Sequence, residues 1–167
     1  MPSATPSQSR RWMASGIALG SMLLATGLVQ AQDFGDHASS TLTTKAWESL
    51  AAGKDDLVVA YVGKCRELYE AEAKKQQANL TEFAPAEKAH DFWALNDVGT
   101  CTFIEGQLLE KQGKKKEAIE TYRRLANELK FCQCWDTKGW FWKPAEAAAG
   151  RIKELEFDQQ LEEPAPQ

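Results

Sequence analysis

From Thr43 to Phe157 the apolar residues recur every third or fourth position, and no strand-length run alternates apolar with polar. That period belongs to helices that hide one face, so the expected fold is all-α. Gly53, Pro85, Gly113 and Pro144 punctuate it. Glycine ends helices and proline opens them, so these breaks divide the stretch into short helices whose tight turns force neighbours antiparallel.

Thr43 or Thr44 can cap a short helix carrying Ala46, Trp47 and Leu50. Asp55 and Asp56 suit the first turn of the next, where Leu57, Val58, Tyr61, Val62, Cys65, Leu68 and Tyr69 form one stripe and the helix runs to about Gln77. Pro85 opens a short helix holding Ala89, Phe92, Trp93 and Leu95. Asn96 is the expected cap of a helix presenting Val98, Cys101, Phe103, Ile104, Leu108 and Leu109. Its successor carries Ala118, Ile119, Tyr122, Leu125, Ala126 and Leu129, and a last helix runs from Pro144 to about Phe157.

The chain begins differently. Residues 1–12 are polar and end in Arg10-Arg11, Met13 to Val29 hold no charge, and Val29-Gln30-Ala31 suits a signal peptidase. Cleavage after Ala31 is expected, with export to the periplasm or beyond the cell. Ser9-Arg10-Arg11-Trp12-Met13 matches a twin-arginine signal in part, which leaves the export route open. The uncharged run of 17 residues is at the lower edge of a spanning helix of about 20, so an uncleaved anchor is the alternative. The expected domains are a signal peptide over 1–31, a flexible lead over 32–40, a helical domain over 41–158 and a disordered tail over 159–167. Removing Arg10 and Arg11 leaves 18 basic against 24 acidic side chains, a net charge of −6. Nucleic acid is a poor partner for that balance, and 136 residues are too few for a dinucleotide domain with a substrate domain, or for a barrel enzyme.

Gly106-x2-Leu109-x3-Gly113-x4-Ala118-x3-Tyr122 puts small residues where two helices cross closely and large ones where they fill the gap. Here the chain resembles the tetratricopeptide repeat family. A 34-residue unit beginning at Gly99 sets all five on consensus positions, with Thr102 and Lys130 replacing the usual aromatic and the closing proline. A weaker unit over about 39–72 keeps Gly53, while Ala46 stands where the family has its crossing glycine. Gly53 and Gly113 are 60 residues apart, so an insertion or a degenerate helix around 73–96 separates the units. The resemblance implies antiparallel hairpins stacked as a short superhelix that binds a protein or peptide in its groove without catalysis, with Thr102, Glu105 and Leu109 as groove candidates. About three units are needed for such a stack, and the aromatic segment with the last helix can supply the third as a C-terminal cap.

Cys65, Cys101, Cys132 and Cys134, behind an export signal, lead to an expectation of disulfides. Cys101, near the start of one helix, should meet the Cys132/Cys134 pair at the end of its antiparallel partner, leaving Cys65 for the remaining cysteine or as a buried free thiol. A metal or redox site at Cys132-x-Cys134 lacks the usual two-residue spacing, so no cofactor or metal is expected.

Phe131, Trp135, Trp140, Phe141 and Trp142 put five large aromatics into twelve residues. Two accounts are open: a cap that closes the helix stack, or a sticky surface for peptide or cell-wall glycan. His37 and His90 lack a nucleophile beside them, and Glu67 with Glu70, or Glu105 with Glu110, are pairs that charged helices produce routinely. No enzyme is expected; a glycan-binding or glycan-hydrolysing protein using the tryptophan segment is the alternative. The run Lys114 to Lys116, with Lys111 and Lys130, reads as a solvated basic face.

Overall fold

The computed structural model describes residues 32–136 and 138–162; the expected signal peptide over 1–31 and residues 163–167 of the expected tail lie outside them. The described chain is almost entirely helical: α1 (Ser39–Ala51), α2 (Asp55–Ala78), a 3₁₀ turn (Ala86–Phe92), α3 (Trp93–Lys111), α4 (Lys115–Glu128), β1 (Cys134–Asp136), β2 (Trp140–Trp142) and α5 (Pro144–Glu162). Among these residues no helix is long and apolar enough to cross a membrane.

The two helix-joining turns are built alike. Gly53 has φ +67° and Gly113 has φ +73°, the left-handed region in which a side chain would be strained. At each turn the glycine N–H reaches back three residues, Gly53 to Leu50 O at 3.1 Å and Gly113 to Glu110 O at 2.8 Å. The following lysine N–H reaches five, Lys54 to Ser49 O and Lys114 to Leu109 O, each at 2.9 Å. Two of the orphan carbonyls at each helix end are thereby satisfied. The turns also meet: Asp55 accepts from Lys111 Nζ at 3.2 Å and from Gln112 Nε2 at 3.1 Å.

Hairpin α1–α2 stacks on hairpin α3–α4, and α5 follows against α4, so each helix packs on its neighbours in order. The core runs through the stack as one cluster that includes Leu42, Val58, Val62, Leu95, Ile104, Tyr122, Leu125 and Leu155. Close crossing is what Gly106 allows. A Cβ there would penetrate the ring of Tyr122, and one on Gly99 would lie 2.6 Å from Cys132 Sγ. In the first hairpin fully buried Ala46 occupies the crossing.

Between the hairpins the chain spends residues 79–92 on a loop and the 3₁₀ turn. Asn96 is not the cap of α3, which starts three residues earlier. It is buried inside the helix, where its amide donates to Ala89 O at 2.8 Å and accepts from Gln133 N at 2.9 Å. The cap role went unused because the 3₁₀ turn runs directly into α3. Ahead of α1, the lead packs along α2: Gln32 donates to the Tyr61 hydroxyl at 2.7 Å and the Tyr69 hydroxyl donates to His37 O at 2.7 Å.

Two expectations need correction. The aromatic segment is a β-hairpin, not helix or irregular cap, with Cys134 opposite Trp142, Trp135 opposite Phe141 and Asp136 opposite Trp140. Its strands are three residues each, too short to show alternation in a sequence scan. β1 packs on α3, and α5 packs on α4 and, less extensively, on α3.

The disulfides are absent: Cys65, Cys101, Cys132 and Cys134 are all free thiols. A sulfur contact of 3.4 Å is far from the bond length of about 2.05 Å. Cys101 faces α1 and α2 instead of the end of α4, with its sulfur 3.3 Å from Thr43 Oγ1. Cys132 fills the notch left by Gly99, and Cys134 lies 2.9 Å from Thr100 Oγ1. The start of α3 and the segment after α4 do meet, at Gly99 and Cys132, but the Cys101 thiol lies on another face of α3.

Candidate functional site

A three-residue loop joins the strands, and Gly139, at φ +92°, lets it turn while its N–H donates to Asp136 O at 2.9 Å. The Asp136 carboxylate accepts from Lys138 N at 2.7 Å and tightens the same turn. Polar side chains fix the hairpin's base. Phe131 N donates to Gln77 Oε1 at 2.9 Å, and Gln133 Nε2 donates to Ala84 O at 2.7 Å. Together with Asn96 they moor the hairpin to α2, the loop after it and α3.

Strand period sorts the hairpin's side chains. Cys134, Asp136, Trp140 and Trp142 share one face, while Trp135 and Phe141 share the other, their rings 5.1 Å apart and edge-on. Phe141 also meets His90 at 6.3 Å. The first face closes over α1 and α3. Trp142 packs edge-on against Phe103 at 5.0 Å and lies 6.3 Å from Trp47, forming an aromatic wall rooted in the core.

The result is a cleft of about 610 Å³, lined by Thr43 and Trp47 of α1, Asp97 and Thr100 of α3, and Cys134, Trp135, Asp136, Trp140 and Trp142 of the hairpin. Volumes of a few hundred to a thousand cubic ångströms hold ligands of drug or short-peptide size. Trp135 and Trp140 stand half in water, 56% and 49% exposed. Trp142 and Trp47 are less so.

Asp97 is the cleft's inner charge. Burial raises its pKa above the ordinary carboxylate value, and a hydrogen bond from the Ser39 hydroxyl opposes the rise only in part. Cys134 is pushed up to about 11 by burial, with Thr100 opposing and the Asp97 charge adding to the rise. It is therefore a protonated thiol at neutral pH and a poor nucleophile. The hydroxyls of Thr43 and Thr100 are turned back onto the backbone, to Ser39 O and Asn96 O, each at 2.8 Å. Among the described residues no three His, Cys, Asp or Glu side chains gather as metal ligands.

The sequence-derived groove residues lie elsewhere. Thr102 is buried with its hydroxyl on Val98 O at 2.8 Å. Glu105 sits between Arg66 at 3.3 Å and Arg124 at 2.9 Å, bridging α2 and α4. Leu109 is half-buried against the core. The aromatic candidates Trp135, Trp140 and Trp142 all border the cleft, Trp135 from the hairpin face that it shares with Phe141. Sequence reasoning missed Thr43, Trp47, Asp97 and Thr100. The available signal was Cys134-x-Asp136 and Trp140-x-Trp142 flanking a loop that ends in glycine, which is a short hairpin pattern. The chain matches no protein-family model, and no curated protein or solved structure proved significantly similar to it.

Proposed function

We propose that this is an exported helical-repeat protein of the tetratricopeptide kind that holds a segment of a partner protein in the tryptophan cleft and catalyses no reaction. One observation carries the reading: four of the five tryptophans beyond residue 31 line a single cleft. Rigid indoles supply contact area at little entropic cost, the composition favoured where proteins grip peptides. The repeat-like turns at Gly53 and Gly113 and the glycine crossing at Gly106 support the scaffold half of the proposal.

A glycan is the second reading, favoured by the exposed Trp135 and Trp140 rings on which a sugar face could stack. Arrays of defined peptides and of cell-wall oligosaccharides, probed with the chain and with Trp140→Ala, separate the two. Capture by peptides that is lost in Trp140→Ala is the expected result. Capture by oligosaccharides alone would contradict it. Export has its own check: end-group sequencing of the secreted product should begin at Gln32, and a product retaining Met1 would contradict cleavage.

A further inference from the structure

The cleft's charges go beyond a general preference for peptide. Its lining includes two carboxylates, Asp97 and Asp136, and no Lys, Arg or His. Each carboxylate has one oxygen engaged, by Ser39 and by Lys138 N, and among the described residues the other oxygen of each accepts no hydrogen bond. The threonine hydroxyls are committed to backbone carbonyls, so the lining offers two carboxylates as acceptors among indole faces, with the indole N–H groups as its main side-chain donors. Acceptors beside indoles are what a planar cation requires: charge-assisted hydrogen bonds to its edge and a π face for its plane. His90 meets the other side of the hairpin through Phe141.

We infer that the cleft between α1, α3 and the hairpin takes an arginine side chain presented by a partner's peptide segment, with Asp97 and Asp136 holding the guanidinium and the tryptophans enclosing it. The inference rests on the peptide reading and names its chemistry. A cleft of about 610 Å³ is larger than one guanidinium needs, so residues flanking the arginine enter too. Arginine is preferred to lysine because its fork matches a carboxylate and its weakly hydrated plane stacks on indole, whereas an ammonium is a compact, strongly hydrated point charge.

The test titrates the full chain with capped pentapeptides that differ only at the centre, carrying arginine, lysine or citrulline, and reads tryptophan fluorescence. Citrulline keeps the shape and removes the charge. Arginine should bind saturably and about tenfold more tightly than citrulline, and raised salt should narrow the gap. Asp97→Asn and Asp136→Asn should each weaken the arginine peptide and leave the citrulline peptide unchanged. Asp136→Asn, at the hairpin rim, keeps the test valid if Asp97→Asn fails to fold. Equal binding of arginine and citrulline overturns the arginine assignment and leaves the peptide reading standing, as does lysine matching arginine. If no peptide binds and an oligosaccharide does, both fall.

Discussion

Glu110 and Asp97 are carboxylates on one helix, α3, and the fold treats them oppositely. Glu110 is at the seam with α4 and α5, where it accepts from the Tyr122 hydroxyl at 2.5 Å and from Arg151 Nε at 3.1 Å. Burial by itself would raise its pKa, but the bonds from Arg151 and Tyr122 and the Arg151 charge outweigh that and hold it below the ordinary value. Asp97 faces the cleft with, among the described residues, one hydroxyl partner and no cation, and burial raises it. The seam completes the charge of Glu110 internally, whereas the cleft leaves that of Asp97 incomplete. A partly buried carboxylate without a counter-charge is costly for the fold and useful for a ligand that brings the charge.

Aromatic residues divide in the same way. Tyr122 is fully buried against Gly106, while Trp135 and Trp140 are half in water. The sharpest break of this contrast is Gly106→Val, which drives branched carbons into the Tyr122 ring. Overpacking plus a displaced seam should lower stability by about 3 kcal/mol or abolish folding, read by urea denaturation. Trp142→Ala comes next: it opens the wall against Trp47 and Phe103 and should cost about 2 kcal/mol, less than a fully buried tryptophan.

Glu110→Gln should cost about 1 kcal/mol at neutral pH, since one charge-assisted set of bonds weakens while the shape remains. Its pH dependence has a definite sign. A lowered folded pKa means that the contribution of Glu110 is present above the ordinary carboxylate pKa and is lost as pH falls through the folded value. Asp97 has the reverse sign: its cost is present above its raised folded pKa and is relieved as pH falls toward the unfolded value. Asp97→Asn should therefore leave stability at pH 7 unchanged or slightly higher. Smallest of all, Trp140→Ala should move stability by less than about 0.5 kcal/mol while removing peptide capture.

The helical stack was legible because its determinants are local. Gly53, Gly113 and the spacing from Gly106 to Tyr122 encode turns and crossings within one or two helices, and a repeat period makes them visible. The cleft was legible only in half. Trp135, Trp140 and Trp142 announced themselves by density, but Trp47, Asp97 and Thr100 join them through helix packing across residues far apart in the chain. The thiols failed for a related reason. Helix ends can be matched from turn lengths, yet the face on which Cys101 falls depends on the angle at which α1 and α2 stack, which no local pattern records. Thr102 is interior, with its hydroxyl on Val98 O.

The cleft also comes with an internal control. Trp93 lies outside its lining, edge-on to Tyr69 at 5.4 Å, and is 45% exposed, so it reports on solvent and non-specific contact without sharing the site. The most direct measurement is a two-dimensional NMR titration of the indole N–H signals with the arginine pentapeptide. The account predicts that Trp47, Trp135, Trp140 and Trp142 shift together with one saturating concentration dependence while Trp93 stays in place. Movement of Trp93 with the other four unmoved would contradict it.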